Sequence, residues 1–200
     1  MPERKQKTLY LLDGGHAPAT AGKRSPKLDD GRQLVEWEFA RDVVGRIAAR
    51  LEEEGVAHHV LTPKTVYDLG PSARAKLANA VDDDAELPTI LISVHANAAG
   101  NGGWYEASGL TVLYWHTSSK SKALAEHLLD KLGEHTGLDI SRGVKGRDNL
   151  SILEKTRMPA VLSENGFYTD EDEVEFLLSD AGRQRIAEAH VQFILSLEQA

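Results

Sequence analysis

Residues 88–97 read PTILISVHAN, and this stretch limits what the chain can fold into more than any other. Ile90, Leu91, Ile92 and Val94 make a nearly unbroken apolar run that stops at His95. A strand apolar on both faces needs cover on both, the condition of an inner strand in a parallel α/β sheet. In open sheets of this kind, ligands collect in the crevice beyond the carboxyl ends of the strands. His95 stands at such an end, followed by small and polar residues through Gly103. Two other runs stop in the same manner. Residues 9–12 lead into Asp13, Gly14, Gly15 and His16, and residues 160–162 lead into Ser163, Glu164, Asn165 and Gly166. Three strand ends are thus expected to bring His16, His95 and Glu164 to one edge of a sheet.

The rest of the chain alternates strand and helix. The spacing predicts strands over 8–13, 56–62, 110–115 and 158–164 in addition to the one ending at His95. A long Gly/Pro/Ser-rich loop is expected over 14–30, since structureless segments of that length in a small domain usually serve function or are disordered. Helices are predicted over 33–54, 71–80, 118–132, 170–178 and 181–197, with Ser118 and Thr169 as N-caps. Residues 81–87 read as an acidic connection, 98–108 as a Gly-rich loop, and 136–147 as loop followed by a short helical turn at 149–154. The pattern gives a single-domain α/β fold over 1–200: a mostly parallel, mixed sheet of about six strands with helices on both faces. In the first helix Phe39, Val43, Ile47 and Leu51 recur every four residues. At about 100° per residue, Glu36 falls on the same face as Ala40, Val43 and Ile47, and Glu38 lies opposite. A carboxylate on a buried helix face needs a partner, so any chemistry there belongs to Glu36.

Composition narrows that chemistry. The chain has no cysteine, which excludes disulfides and thiolate metal sites. Its formal net charge is −8 without a basic stripe, so no nucleic-acid partner is expected. A metal would have to be held by His and carboxylate. His16, Glu36 and His95 supply two imidazoles and one carboxylate, the set that leaves zinc a position for water. Zinc lowers the pKa of bound water to about 7, and Glu164, beside the set, is placed to accept the proton. No HExxH helix motif is present. His58 and His59 alternate on a strand, His190 reads as a satisfied core residue, and His116, His127 and His135 read as solvated surface positions. The acidic run 170–175 lacks a calcium-loop pattern. Behind the basic residues Arg4, Lys5 and Lys7, the apolar run 9–12 is too short for a secretory leader or a membrane span. The chain is therefore expected to stay in the cytoplasm until another route releases it.

Five segments together resemble the zinc-dependent N-acetylmuramoyl-L-alanine amidases of the amidase-3 family: LDGGH at 12–16, EWEFARDV at 36–43, RAKLAN at 74–79, SVHANA at 93–98 and SENGFYTD at 163–170. The resemblance implies one zinc held by His16, Glu36 and His95, with Glu164 catalytic. It also implies a peptidoglycan substrate, cleaved between the lactyl group of N-acetylmuramic acid and L-alanine. The family usually has Asn four residues after the zinc glutamate, where this chain has Ala40. Relatives of the septal type carry a helical insertion that shields the zinc; the 132–150 connection here is too short for one, which implies an open site. Asn97 is expected to orient a ligand or contact substrate. Trp104 and Tyr105 offer a platform for sugar or peptide, with incidental aromatics on an exposed loop as the other reading. A phage-type endolysin fits better than a secreted wall-remodelling enzyme. Another zinc amidohydrolase or peptidase, or a non-catalytic wall-binding relative, is the alternative.

Overall fold

The computed structural model describes residues 7–62 and 67–199, so Arg4 and Lys5 of the basic N-terminal patch lie outside the described residues. Twelve elements follow in chain order: β1 (Leu9–Gly14), α1 (Glu36–Glu53), β2 (His58–Val60), α2 (Gly70–Asp84), β3 (Thr89–Asn97), β4 (Thr111–Trp115), α3 (Ser119–Thr136), β5 (Val144–Arg147), α4 (Ser151–Glu154), β6 (Ala160–Phe167), α5 (Glu171–Leu178) and α6 (Asp180–Gln199). The six strands form one sheet in the order β2-β1-β3-β6-β4-β5. β2, β1, β3 and β6 run parallel, whereas β4 is antiparallel to β6 and parallel to β5. The mixed, mostly parallel sheet expected from the sequence is the one observed.

β3 sits inside the sheet because its residues satisfy both faces. Ile92 and Val94 enter a large apolar cluster with Phe39, Val43 and Ile47 of α1, Leu128 of α3 and Phe193 of α6. Leu91 enters a smaller cluster on the other face with Ala75 and Ala78 of α2, Ile152 and Leu153 of α4, and Leu162 of β6. All of β3 except Ile90 and Asn97 is buried away from water. Period-two alternation then fixes what else shares the thinner side. His95 and Ser93 follow Leu91, Asp13 follows Leu11, and Glu164 follows Leu162.

Several boundaries differ from the sequence reading. α1 starts at Glu36, three residues late, because residues 24–35 fold back on themselves: Arg24 bridges Val35, and the Ser25 amide donates to the Leu34 carbonyl. α2 continues to Asp84 through the acidic stretch expected to be a connection. Its like-charged end is held by Arg157, which pairs with Asp83 and Asp82. Asp170, not Thr169, caps α5 by accepting from the Glu173 amide at 2.9 Å; the Thr169 hydroxyl is used by the Ala99 amide instead. Residues 144–147 form β5 where loop was expected. His127 and His135 are half-buried rather than solvated, His127 packing edge-on against Phe193. His190 is fully buried, bonded to Ser163 Oγ at 2.9 Å and the Ile186 carbonyl at 2.8 Å. Burial holds its pKa down to about 4, so it stays neutral. Among the described residues, no helix is long and apolar enough to cross a membrane.

Candidate metal centre and active site

The sheet carries the centre on its backbone. β3 and β6 are parallel neighbours in register His95↔Glu164, so the two side chains stand next to each other on one face. The register shifts just beyond, between His95 and Asn97, and such bulges re-aim strand-end side chains. Asn165 secures the turn by donating to the His95 carbonyl at 2.8 Å. His16 follows β1 with φ of 62°, a left-handed backbone uncommon for a residue with Cβ. Its carbonyl accepts from Arg41 at 3.0 Å, which ties the turn to α1. Glu36, the first residue of α1, is 2% exposed, whereas Glu38 is exposed. The helical phase therefore separated the two glutamates correctly.

These residues converge. Glu36 Oε1 lies 2.9 Å from His95 Nδ1, and Oε2 lies 3.3 Å from His16 Nε2. One ligand atom from each of His16, Glu36 and His95 falls within 4.8 Å of the others. The donor set itself suits a divalent transition metal. So does a second observation: His95 Nε2 is buried with no hydrogen-bond partner among the described residues, a condition that normally has a specific explanation. Burial pushes the Glu36 carboxyl up, but hydrogen bonds from His16 and His95 outweigh it and hold the group near 2. The carboxylate is thus charged and ready to ligate.

Glu164 behaves in the opposite way. Its Oε2 is buried without a partner among the described residues. Burial first, and the Glu36 charge second, push its pKa up to about 8 despite the cations Lys23 and Arg147. Two carboxyl groups in one crevice whose surroundings drive their pKa values apart mark an acid/base assignment. Tyr168 lines the same crevice, its phenol also driven up by burial and by the two glutamates, so it stays neutral.

A cavity of about 390 Å³ opens from this centre along the thinner side of the sheet. His16, Glu36, His95 and Glu164 form one end; Asn97, Arg74, Leu113, Lys145, Arg147 and Ile152 line the rest. Asn97 lines the cavity, though its Oδ1 is taken by the Ala98 amide at 2.8 Å. Trp104 and Tyr105 do not line this cavity. Trp104 packs on the larger apolar cluster and borders separate surface hollows. The Tyr105 hydroxyl accepts from the Asn101 amide and the ring lies against Gly100, so the Gly-rich loop folds onto its own tyrosine. The sequence reading also passed over Arg74 and Asp13. Asp13 is wholly buried and accepts from Arg74 at 2.7 Å and Ser93 at 2.6 Å, directly beneath the Gly14–Gly15–His16 turn. A charged residue interrupting the small apolar face Ala75/Ala78 was the available signal.

Gly15 is required by closeness. A Cβ there would lie 2.1 Å from His95 Cε1. Gly15→Ala is expected to displace the imidazole and weaken divalent-cation binding about 10–100-fold, the usual effect of disturbing a ligand's support. Calorimetric titration with the metal, beside a circular-dichroism check of the fold, tests this; unchanged affinity would contradict the crowding seen here.

A crevice at the carboxyl ends of a largely parallel sheet, holding a His₂–carboxylate set and a half-buried acid with an unpartnered oxygen among the described residues, has the arrangement of a metal-assisted hydrolase site. Comparison with known proteins narrows the class. The model of the amidase-3 family, N-acetylmuramoyl-L-alanine amidase, matches residues 11–196, and the chain belongs to that family. The fold is similar to the N-acetylmuramoyl-L-alanine amidase of Clostridium difficile 630 (TM-score 0.80, 25% identity, 98% of each chain covered). It is also similar to the amidase AmiC2 of Nostoc punctiforme (TM-score 0.79, 26% identity, 97% of this chain and 98% of that one). In sequence it is 28% identical over 199 residues to an endolysin of Bacillus phage SPP1, covering 94% of this chain and 65% of the endolysin.

Proposed function

We propose that the chain is a zinc-dependent N-acetylmuramoyl-L-alanine amidase that hydrolyses the amide joining the lactyl group of N-acetylmuramic acid to L-alanine of the peptide stem. The observation that carries this reading is the meeting of His16, Glu36 and His95 beside the unpaired, protonatable Glu164. His16, Glu36 and His95 would hold the zinc. When bound, it polarises the amide carbonyl and acidifies the attacking water. Glu164 takes the proton that the water gives up as its oxygen bonds to the carbonyl carbon. It returns that proton to the alanine nitrogen as the C–N bond breaks, giving a carboxylic acid and an amine; the acid's remaining proton then passes to the amine, so a carboxylate and an ammonium leave. A group that holds its proton up to pH about 8 without the metal shifts to lower pKa beside a cation, toward the range that suits such transfer.

Asn97 is the substrate contact this reading retains: with Oδ1 engaged, its amide NH₂ is the group left for substrate. Trp104 and Tyr105 keep no role at the centre. Cell-wall peptidoglycan as the target, and a phage-type lytic role, are supported by the endolysin relative. Purified sacculi treated with the metal-loaded protein are expected to yield new free L-alanine amino termini without new reducing ends. The release should stop on chelation and return with zinc. New reducing ends would indicate a glycosidase, and amino termini of other residues a peptidase.

A further inference from the structure

The cavity runs against the charge of the chain. The sequence carries a net −8, yet Lys23, Arg74, Lys145 and Arg147 face the crevice against only Glu36 and Glu164. Arg74 is occupied by Asp13, and Glu36 by the two histidines. The side chains of Lys23, Lys145 and Arg147 have no hydrogen-bond or ion-pair partner among the described residues, and Arg147 Nε is buried in that state.

Strand register explains their aim. Leu113 of β4 stands opposite Leu162 on one side and Lys145 on the other, while Thr111 stands opposite Glu164. Residues two apart on a strand share a face, so Lys145 and Arg147 both project from the face that carries Leu113, Leu162 and Glu164. Lys23 reaches the same crevice from the loop whose carbonyl at Lys23 accepts the Glu36 amide. Lys145 and Arg147, the latter with a buried donor, lie beyond β6 from the strands that carry His16 and His95, and Lys23 faces the same cavity from the loop bonded to Glu36.

Resting on the amidase reading, we propose that Lys145, Arg147 and Lys23 form a subsite for a substrate carboxylate on the peptide side of the scissile bond. The muramoyl carboxyl group is itself consumed in the amide that is cut, so the nearest carboxylate left to an amidase substrate belongs to the stem peptide. The subsite makes the enzyme select stems whose second residue keeps a free carboxylate over stems in which that group is amidated. A guanidinium offers the bidentate fork that a carboxylate fits and a carboxamide does not.

Two soluble muramoyl peptides, identical except for carboxylate or carboxamide on the second residue, test this with the zinc-loaded protein. Binding of the two corresponding released peptides is measured in parallel. Wild type is expected to favour the carboxylate form at least about tenfold in kcat/KM, mostly through KM, and to bind its peptide more tightly. Arg147→Gln should bring both ratios toward unity, with Arg147→Lys between. Equal handling of the two forms by wild type overturns the proposal while leaving the amidase reading intact. A uniform fall in kcat for both forms in Arg147→Gln, with the ratio kept, also overturns it and assigns the cation to Glu164 alone. If sacculi and both peptides go uncleaved, the amidase reading fails and the subsite with it.

Discussion

Glu164→Gln is expected to lower amide hydrolysis about 10²–10⁴-fold, the range a positioned general base supplies, with bound metal unchanged. Gln keeps the volume and the polar head but accepts no proton, and Glu164 is not in the His16–Glu36–His95 set. Turnover assays beside elemental analysis of the purified variant check both halves. Near-normal turnover would remove Glu164 from the reaction. The same variant has a signature in stability. The folded, metal-free protein keeps the Glu164 proton up to pH about 8, while the unfolded chain releases it near 4.5. Between those values the native state binds more protons, so stability falls as pH rises. Glu164→Gln should flatten that decline, read as the change in melting temperature across the window. A decline identical to wild type would show that the group is not held protonated.

His95→Ala is expected to abolish activity and metal binding together. It removes one of the three proposed ligands, and its neighbour Glu36 loses the 2.9 Å contact that keeps it oriented. Glu36 is 2% exposed, and a buried carboxylate that loses a partner is destabilising, so a lower melting temperature should accompany the loss. Elemental analysis, activity and thermal unfolding report the three effects. Retention of one metal per chain would show that the cation lies elsewhere.

How much of this was legible in the sequence follows from how local each signal is. The β3 run and the two runs ending at His16 and Glu164 show their burial in unbroken apolar letters. Helical phase alone told Glu36 from Glu38. β5 gave no such signal, because Val-Lys-Gly-Arg has neither an apolar run nor alternation; β4 recruits it through backbone pairing. The antiparallel course of β4 is likewise a tertiary decision, since a strand's letters do not record its direction. Trp104 and Tyr105 lie close to His95 in sequence, but the loop closes on itself through Gly100 and Asn101 and carries them away. The cations of the crevice come from a loop, a helix and an edge strand, so nothing in their spacing unites them.

The parallel pairing of β3 with β6 has a consequence for variation in this architecture. Because His95 and Glu164 are rungs of one ladder, their separation is set by the main chain and not by any connecting segment. Residues 98–108 and 137–143 can therefore change length and composition, reshaping what enters and what is turned away, while the distance between His95 and Glu164 stays the same.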